Sequence, residues 1–141
     1  MNKKFFTFFL QEENILIALP VSDVYKVLDF HSEEIIPNYN KNQKILGSIY
    51  HREELISILN IQQFLLLKNY EIKYIVLFFY CNKNYAFYIN NPFDILEIEE
   101  NTIIKELPLL SSDTVVGAFQ YDKKIAYILN SEMLVWKNIQ N

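Results

Sequence analysis

Glycine is nearly missing from this chain of 141 residues, which carries only Gly47 and Gly117. A loop that cradles phosphate needs several glycines close together, so neither a P-loop nor a dinucleotide fingerprint can be written here. Cysteine occurs once, as Cys81, which excludes an internal disulfide. Because Cys81 follows the apolar run Tyr74 to Tyr80, it is expected as a small buried or strand-end residue in a reducing compartment. Arginine also occurs once, as Arg52, and 17 acids outnumber 13 bases to leave a formal charge of −4. Nucleic-acid binders usually present a basic face that displaces counterions, and this balance argues against that class. No run approaches the ~20 apolar residues of a membrane helix. The opening Lys3-Lys4-Phe5-Phe6 leads after a short apolar stretch into Gln11-Glu12-Glu13-Asn14, with no small-residue cleavage site. Export and membrane insertion are therefore not expected, and a soluble cytoplasmic protein is.

Catalytic groups are scarce as well. His31 and His51 open similar strings, His31-Ser-Glu-Glu and His51-Arg-Glu-Glu. A zinc motif needs two histidines at helical spacing, so these read as turn residues, with no metal site and no cofactor expected. Nothing beside Cys81 would activate it as a nucleophile. The paired acids Glu33-Glu34, Glu53-Glu54 and Glu99-Glu100 would point to opposite faces of a strand, so one pocket would not receive both.

What the chain does have is an apolar content of 51% with 16% aromatics, ample for a core, and an internal repeat. An offset of seventy, from Gly47 to Gly117, lays Gly47 to Asn60 over Gly117 to Asn130 without a gap. An offset of sixty-eight relates the upstream halves: Phe8-Phe9-Leu10 to Val76-Leu77-Phe78, Ala18 to Ala86, and Ile35-Ile36 to Ile103-Ile104. The chain is thus read as one domain over 1–141 with repeat one at about 5–67 and repeat two at about 72–136.

Short runs rich in Phe, Tyr, Ile and Val imply an all-β fold. Each repeat should open with a hairpin, turning at Glu12-Glu13-Asn14 and at Asn82-Lys83-Asn84. Tyr25 to Phe30 and Phe93 to Ile98 follow as strands. A second hairpin then turns at Arg52-Glu53 and at Asp122-Lys123. Asn60 and Asn130 stand where each second hairpin ends and the period changes, and Asn is among the best N-caps, so each should cap a short helix. About five bent strands per repeat favour small closed barrels over open sheets.

Ala18-Leu-Pro20-Val-Ser-Asp-Val24-Tyr-Lys-Val27-Leu, Gly47-Ser-Ile-Tyr50-His51-Arg52-Glu53 and Leu55-Ile-Ser57-Ile-Leu-Asn60, in that order and spacing, resemble the signatures of the CheW-like domain family. The resemblance spans roughly Phe5 to Val135. It implies two intertwined five-stranded SH3-like barrels with short capping helices. It also implies a non-enzymatic adaptor that couples the cytoplasmic tips of methyl-accepting chemoreceptors to a histidine kinase bearing its own CheW-like regulatory domain. Residues bearing on partner contacts carry over to Val24, Gly47 and Arg52. Tyr50, His51 and Glu53 replace the family's usual Asn, Leu and Gly at the same hairpin tip, and Ser57 replaces its Pro. The alternative reading is a small β-barrel that binds a ligand or single-stranded nucleic acid on stacked aromatics.

Overall fold

The computed structural model describes residues 1–9, 15–38, 44–61, 71–105 and 115–139, the side chains of 15 and 137–139 excepted. Eleven strands and one helix follow in order among them. They are β1 (Asn2–Phe9), β2 (Ile15–Pro20), β3 (Val24–Asp29), β4 (Ile36–Pro37), β5 (Ile45–His51), β6 (Glu54–Leu59), β7 (Tyr74–Tyr80), β8 (Lys83–Ile89), β9 (Asn91–Glu99), β10 (Val115–Tyr121), β11 (Lys124–Leu129) and α1 (Ser131–Ile139). The turn at Glu12-Glu13-Asn14 and the helix after Asn60 lie outside the described residues.

Two sheets form, ordered β10-β11-β2-β1-β9 and β3-β7-β8-β6-β5-β4, and they make two small SH3-like barrels. The first sheet builds the first barrel and the second sheet the second. Each opening hairpin has left its own half of the chain: β1–β2 sits among β9, β10 and β11, and β7–β8 among β3, β5 and β6. Both insertions use a parallel pairing, Ile128 opposite Ala18 and Ile58 opposite Ala86. These partners are related by offsets of seventy and sixty-eight. β4 has as its counterpart the single bridge Ile104–Ala118.

β1 shows why the hairpins are shared. Its residues from Phe5 to Phe9 are buried on both faces: Phe5 and Phe9 fill the first barrel, while Phe6 and Phe8 join a cluster with Leu59, Val76, Phe78 and Phe87 between the barrels. A strand with two apolar faces is stable only between two cores, because either face left in water forfeits its burial. The second barrel is filled by Ile49, Ile56, Ile58, Ile75, Leu77, Ala86 and Tyr88. α1 adds Leu134 and Val135 to the cluster between the barrels. Asn130 precedes α1, and its carbonyl accepts from the Leu134 N–H at 3.0 Å.

The pairing corrects one offset. Thr7 lies opposite Ala18 but Leu77 opposite Ala86, so the first strands align on seventy rather than sixty-eight, and Phe8 corresponds to Phe78 instead of Val76. A second correction concerns the β7–β8 turn. Tyr80 pairs with Lys83, which makes Cys81-Asn82 the turn instead of Asn82-Lys83-Asn84. Cys81 is exposed there, directly after the end of β7, so of the two expected placements the strand-end one holds and the buried one does not. A two-residue turn keeps Tyr85, Phe87 and Ile89 in phase with the cluster between the barrels, and that burial decides its position.

Among the described residues three two-residue turns have positive φ at both central residues: Arg52 and Glu53 (49° and 67°), Cys81 and Asn82 (50° and 62°), Asp122 and Lys123 (46° and 64°). This is the type I′ geometry that matches strand twist and usually recruits glycine. Neither glycine is used for it, and neither has positive φ. Gly47 and Gly117 instead follow a bulge in β5 and β10, where another backbone crosses closely. A Cβ on Gly47 would lie 2.8 Å from the Ile36 carbonyl oxygen, and one on Gly117 would lie 3.0 Å from that of Ile104. The absence of a side chain, not conformational freedom, is what both positions require.

Candidate functional site

The β5–β6 hairpin ends in a tip built from Tyr50, His51, Arg52, Glu53, Glu54 and Leu55. On β5, alternation sends Ile49 into the barrel and Tyr50 outward. Tyr50 faces Leu55 across the strand pair, and the two are 64% and 48% exposed. Left-handed backbone at Arg52 and Glu53 turns both side chains into solvent. Among the described residues no ion pair involves Arg52, so its planar five-donor fork is free to meet a partner.

β3 brings Tyr25 to the same place. Its ring meets His51 edge-on, with centroids 5.8 Å apart and planes at 76°. His51 Nε2 is buried and has no hydrogen-bond partner. The base of the hairpin is tied to β8 through Glu54, whose carboxylate accepts from the Asn84 side-chain amide at 2.9 Å and from its backbone N–H at 3.4 Å. The tip is therefore an apolar-aromatic patch on a braced hairpin, topped by one guanidinium.

Val24 is partly buried at the start of β3, beside Tyr25, and packs on the cluster between the barrels. Gly47 stands apart from the tip, on the buried stretch of β5 under Ile36. Tyr50, His51, Arg52 and Glu53 are brought together, with Val24 next to the ring that touches them. Tyr25 and Leu55 were not singled out from the sequence. Their counterparts in the repeat, Phe93 and Ile125, are apolar and exposed too.

The first barrel carries an equivalent end. Phe93 and Tyr121 meet edge-on at 6.1 Å and 68°, and the Lys124 ammonium lies 5.9 Å from the Phe93 centroid. The turn charges are reversed: Arg52-Glu53-Glu54 in one barrel corresponds to Asp122-Lys123-Lys124 in the other.

Among the described residues no group of three or more His, Cys, Asp or Glu could hold a metal ion. The Tyr80 phenol is pushed up to about 12, first by its hydrogen bond to Cys81, then by desolvation and by the charge of Glu132, which suits a neutral hydroxyl rather than a base.

Comparison with known proteins agrees with this architecture. The CheW-like domain family matches residues 4–137. No curated protein sequence matches the chain. Among solved structures, the scaffolding protein TtCheW from Thermoanaerobacter tengcongensis superposes with a TM-score of 0.83 at 24% identity, over 95% of this chain and 92% of that one. In the described residues no helix is long and apolar enough to cross a membrane. The chain belongs to the family of CheW-like domains.

Proposed function

We propose that this protein is a non-enzymatic adaptor of a chemotaxis-type sensory assembly, linking the cytoplasmic tips of methyl-accepting chemoreceptors to a histidine kinase with its own CheW-like regulatory domain. The observation that carries the reading is the hairpin tip of Tyr25, Tyr50, His51, Arg52 and Leu55, an exposed aromatic patch on a rigid base. Aromatic and Arg side chains dominate protein–protein hot spots, because they bury large area with little entropy loss and offer fixed donors. Family membership supplies the kind of partner; TtCheW is itself a scaffolding protein.

Arg52 is the contact residue that Lys cannot replace. Arg52→Lys keeps the charge and the left-handed backbone but loses the fork, so partner affinity should fall by about 1 kcal/mol while the thermal midpoint stays unchanged. Pull-down of a receptor signalling fragment and of the kinase regulatory domain by the Lys variant checks this. Wild-type capture of both would overturn the assignment of Arg52, and capture of neither by the wild-type chain would overturn the adaptor reading.

A further inference from the structure

The two barrel interiors close differently at the mouth beside the first strand of each opening hairpin. In the second barrel Tyr88 and Phe30 stack edge-on at 5.4 Å and 85°, and Ile72 packs against the same cluster. The offsets that superpose the barrels put Pro20, Ile98 and Asn2 at those positions in the first barrel. Two aromatic rings and an isoleucine have been replaced by smaller or polar groups. A cleft of about 710 Å³ opens beside Pro20, with Phe5, Ile103, Val116 and Ile128 on its apolar wall. That volume lies in the usual range for small-molecule sites.

The charges around the cleft are mostly positive. Lys3, Lys4 and Lys105 line it against a single acid, Asp23. Asp23 is engaged: its Oδ2 accepts from the Ser131 hydroxyl at 2.9 Å. Alternation puts Lys3 on the same face of β1 as Phe5. Among the described residues its one ion pair is a half-exposed one with Glu100 at 3.4 Å, which a competing anion can exchange at little cost. Lys105 has no ion pair among the described residues. An apolar wall under exposed ammonium groups is matched by a molecule with an apolar chain and one negative end.

We propose that this cleft binds a small amphiphilic carboxylate, its acyl or aryl part on Phe5, Ile103, Val116 and Ile128 and its carboxylate between Lys3 and Lys105. The wall also includes Ser22 and Asp23, which lead directly into Val24 and Tyr25. The cleft thus borders the short turn Val21–Asp23 that runs into β3, the strand carrying Tyr25, although the ligand proposal does not depend on the adaptor reading.

The test uses decanoate below its micelle concentration, titrated into the whole chain and followed by methyl NMR. Saturable shifts confined to Ile103, Val116 and Ile128, with the Ile49, Ile56 and Ile75 methyls of the second barrel unmoved, are expected. Lys105→Glu and Lys3→Gln should each weaken binding by about tenfold, as for loss of one charge-assisted contact. Val116→Trp, made at an exposed position, should fill the cleft and abolish the shifts. Decyltrimethylammonium, with the same chain and the opposite charge, should bind at least about tenfold more weakly. Absence of saturation by about 1 mM decanoate, equal binding of the two amphiphiles, or undiminished binding by the charge variants would each overturn the proposal. So would co-sedimentation with anionic vesicles in the absence of any response to monomeric decanoate.

Discussion

The two barrels share one backbone plan and fill it with different side chains. Both have a glycine after a bulge under a crossing carbonyl, a type I′ turn without glycine, and an edge-on aromatic pair beside that turn. Yet one mouth holds Tyr88 and Phe30 while the other holds Pro20 and Ile98, and the turn charges are reversed. Features set by backbone collision recur because no side chain can substitute for empty space. Features set by side-chain volume or charge diverge, because a barrel tolerates a different plug and a surface turn tolerates either sign.

The largest effect should come from the mouths. Tyr88→Ala removes a buried ring and its contact with Phe30, at a cost of about 3 kcal/mol. Pro20→Ala at the equivalent place should cost about 1 kcal/mol or less, because its ring already borders an open cleft. Urea midpoints compare the two, and equal costs would break the claim that the mouths differ. Next come the glycines. Gly47→Ala should destabilise by about 2–3 kcal/mol and Gly117→Ala by about 1 kcal/mol, a backbone oxygen standing nearer to the first. The entropy removed from the unfolded chain offsets about 0.4–1 kcal/mol of each. A reversed order would show that the β10 site yields less than the β5 site.

Smaller effects sharpen the comparison. Glu53→Gly and Lys123→Gly should each stabilise by about 0.5–1 kcal/mol in thermal melts, by relieving left-handed strain at an L residue. Equal gains in the two barrels are expected, since their φ values are nearly the same. Smallest is a pH effect carried by the raised tyrosines of β7 and β8, Tyr88 among them. Burial raises the Tyr88 phenol above its ordinary value. A group raised on folding contributes fully below its unfolded value of about 10, and that contribution is lost as pH climbs through the folded value. The thermal midpoint should therefore decline above pH ~10, and Tyr88→Phe should flatten the decline. A profile identical in the two proteins would remove Tyr88 from it.

Much of this was legible without coordinates. The Arg52-Glu53 and Asp122-Lys123 turns stood out because polar pairs interrupt alternating runs, and that signal is local. Adjacency of Tyr50, His51, Arg52 and Glu53 on one tip followed from the turn. Tyr25 was not legible as their neighbour, because only the fold sets β3 beside that hairpin. The β7–β8 turn is expected at Asn82-Lys83-Asn84 and falls instead at Cys81-Asn82. Asn82 and Asn84 offer similar local chemistry, and burial of Tyr85 and Phe87 decides between them.

The sequence by itself determined the strands, most turns, the helix after Asn130 and the equivalence of Gly47 and Gly117, since each depends on neighbours along the chain or on an offset visible in the repeat; that both glycines must lack a side chain came from the carbonyls that cross them. Only the tertiary structure decided which barrel each opening hairpin joins, and hence that β1 and β7 have crossed to opposite halves. Alternation in a strand records that a face is apolar but not whose core will cover it. With both faces of β1 apolar and two similar repeats offering similar edges, the choice falls to the arrangement that buries Phe5 and Phe9 in one barrel and Phe6 and Phe8 between the two.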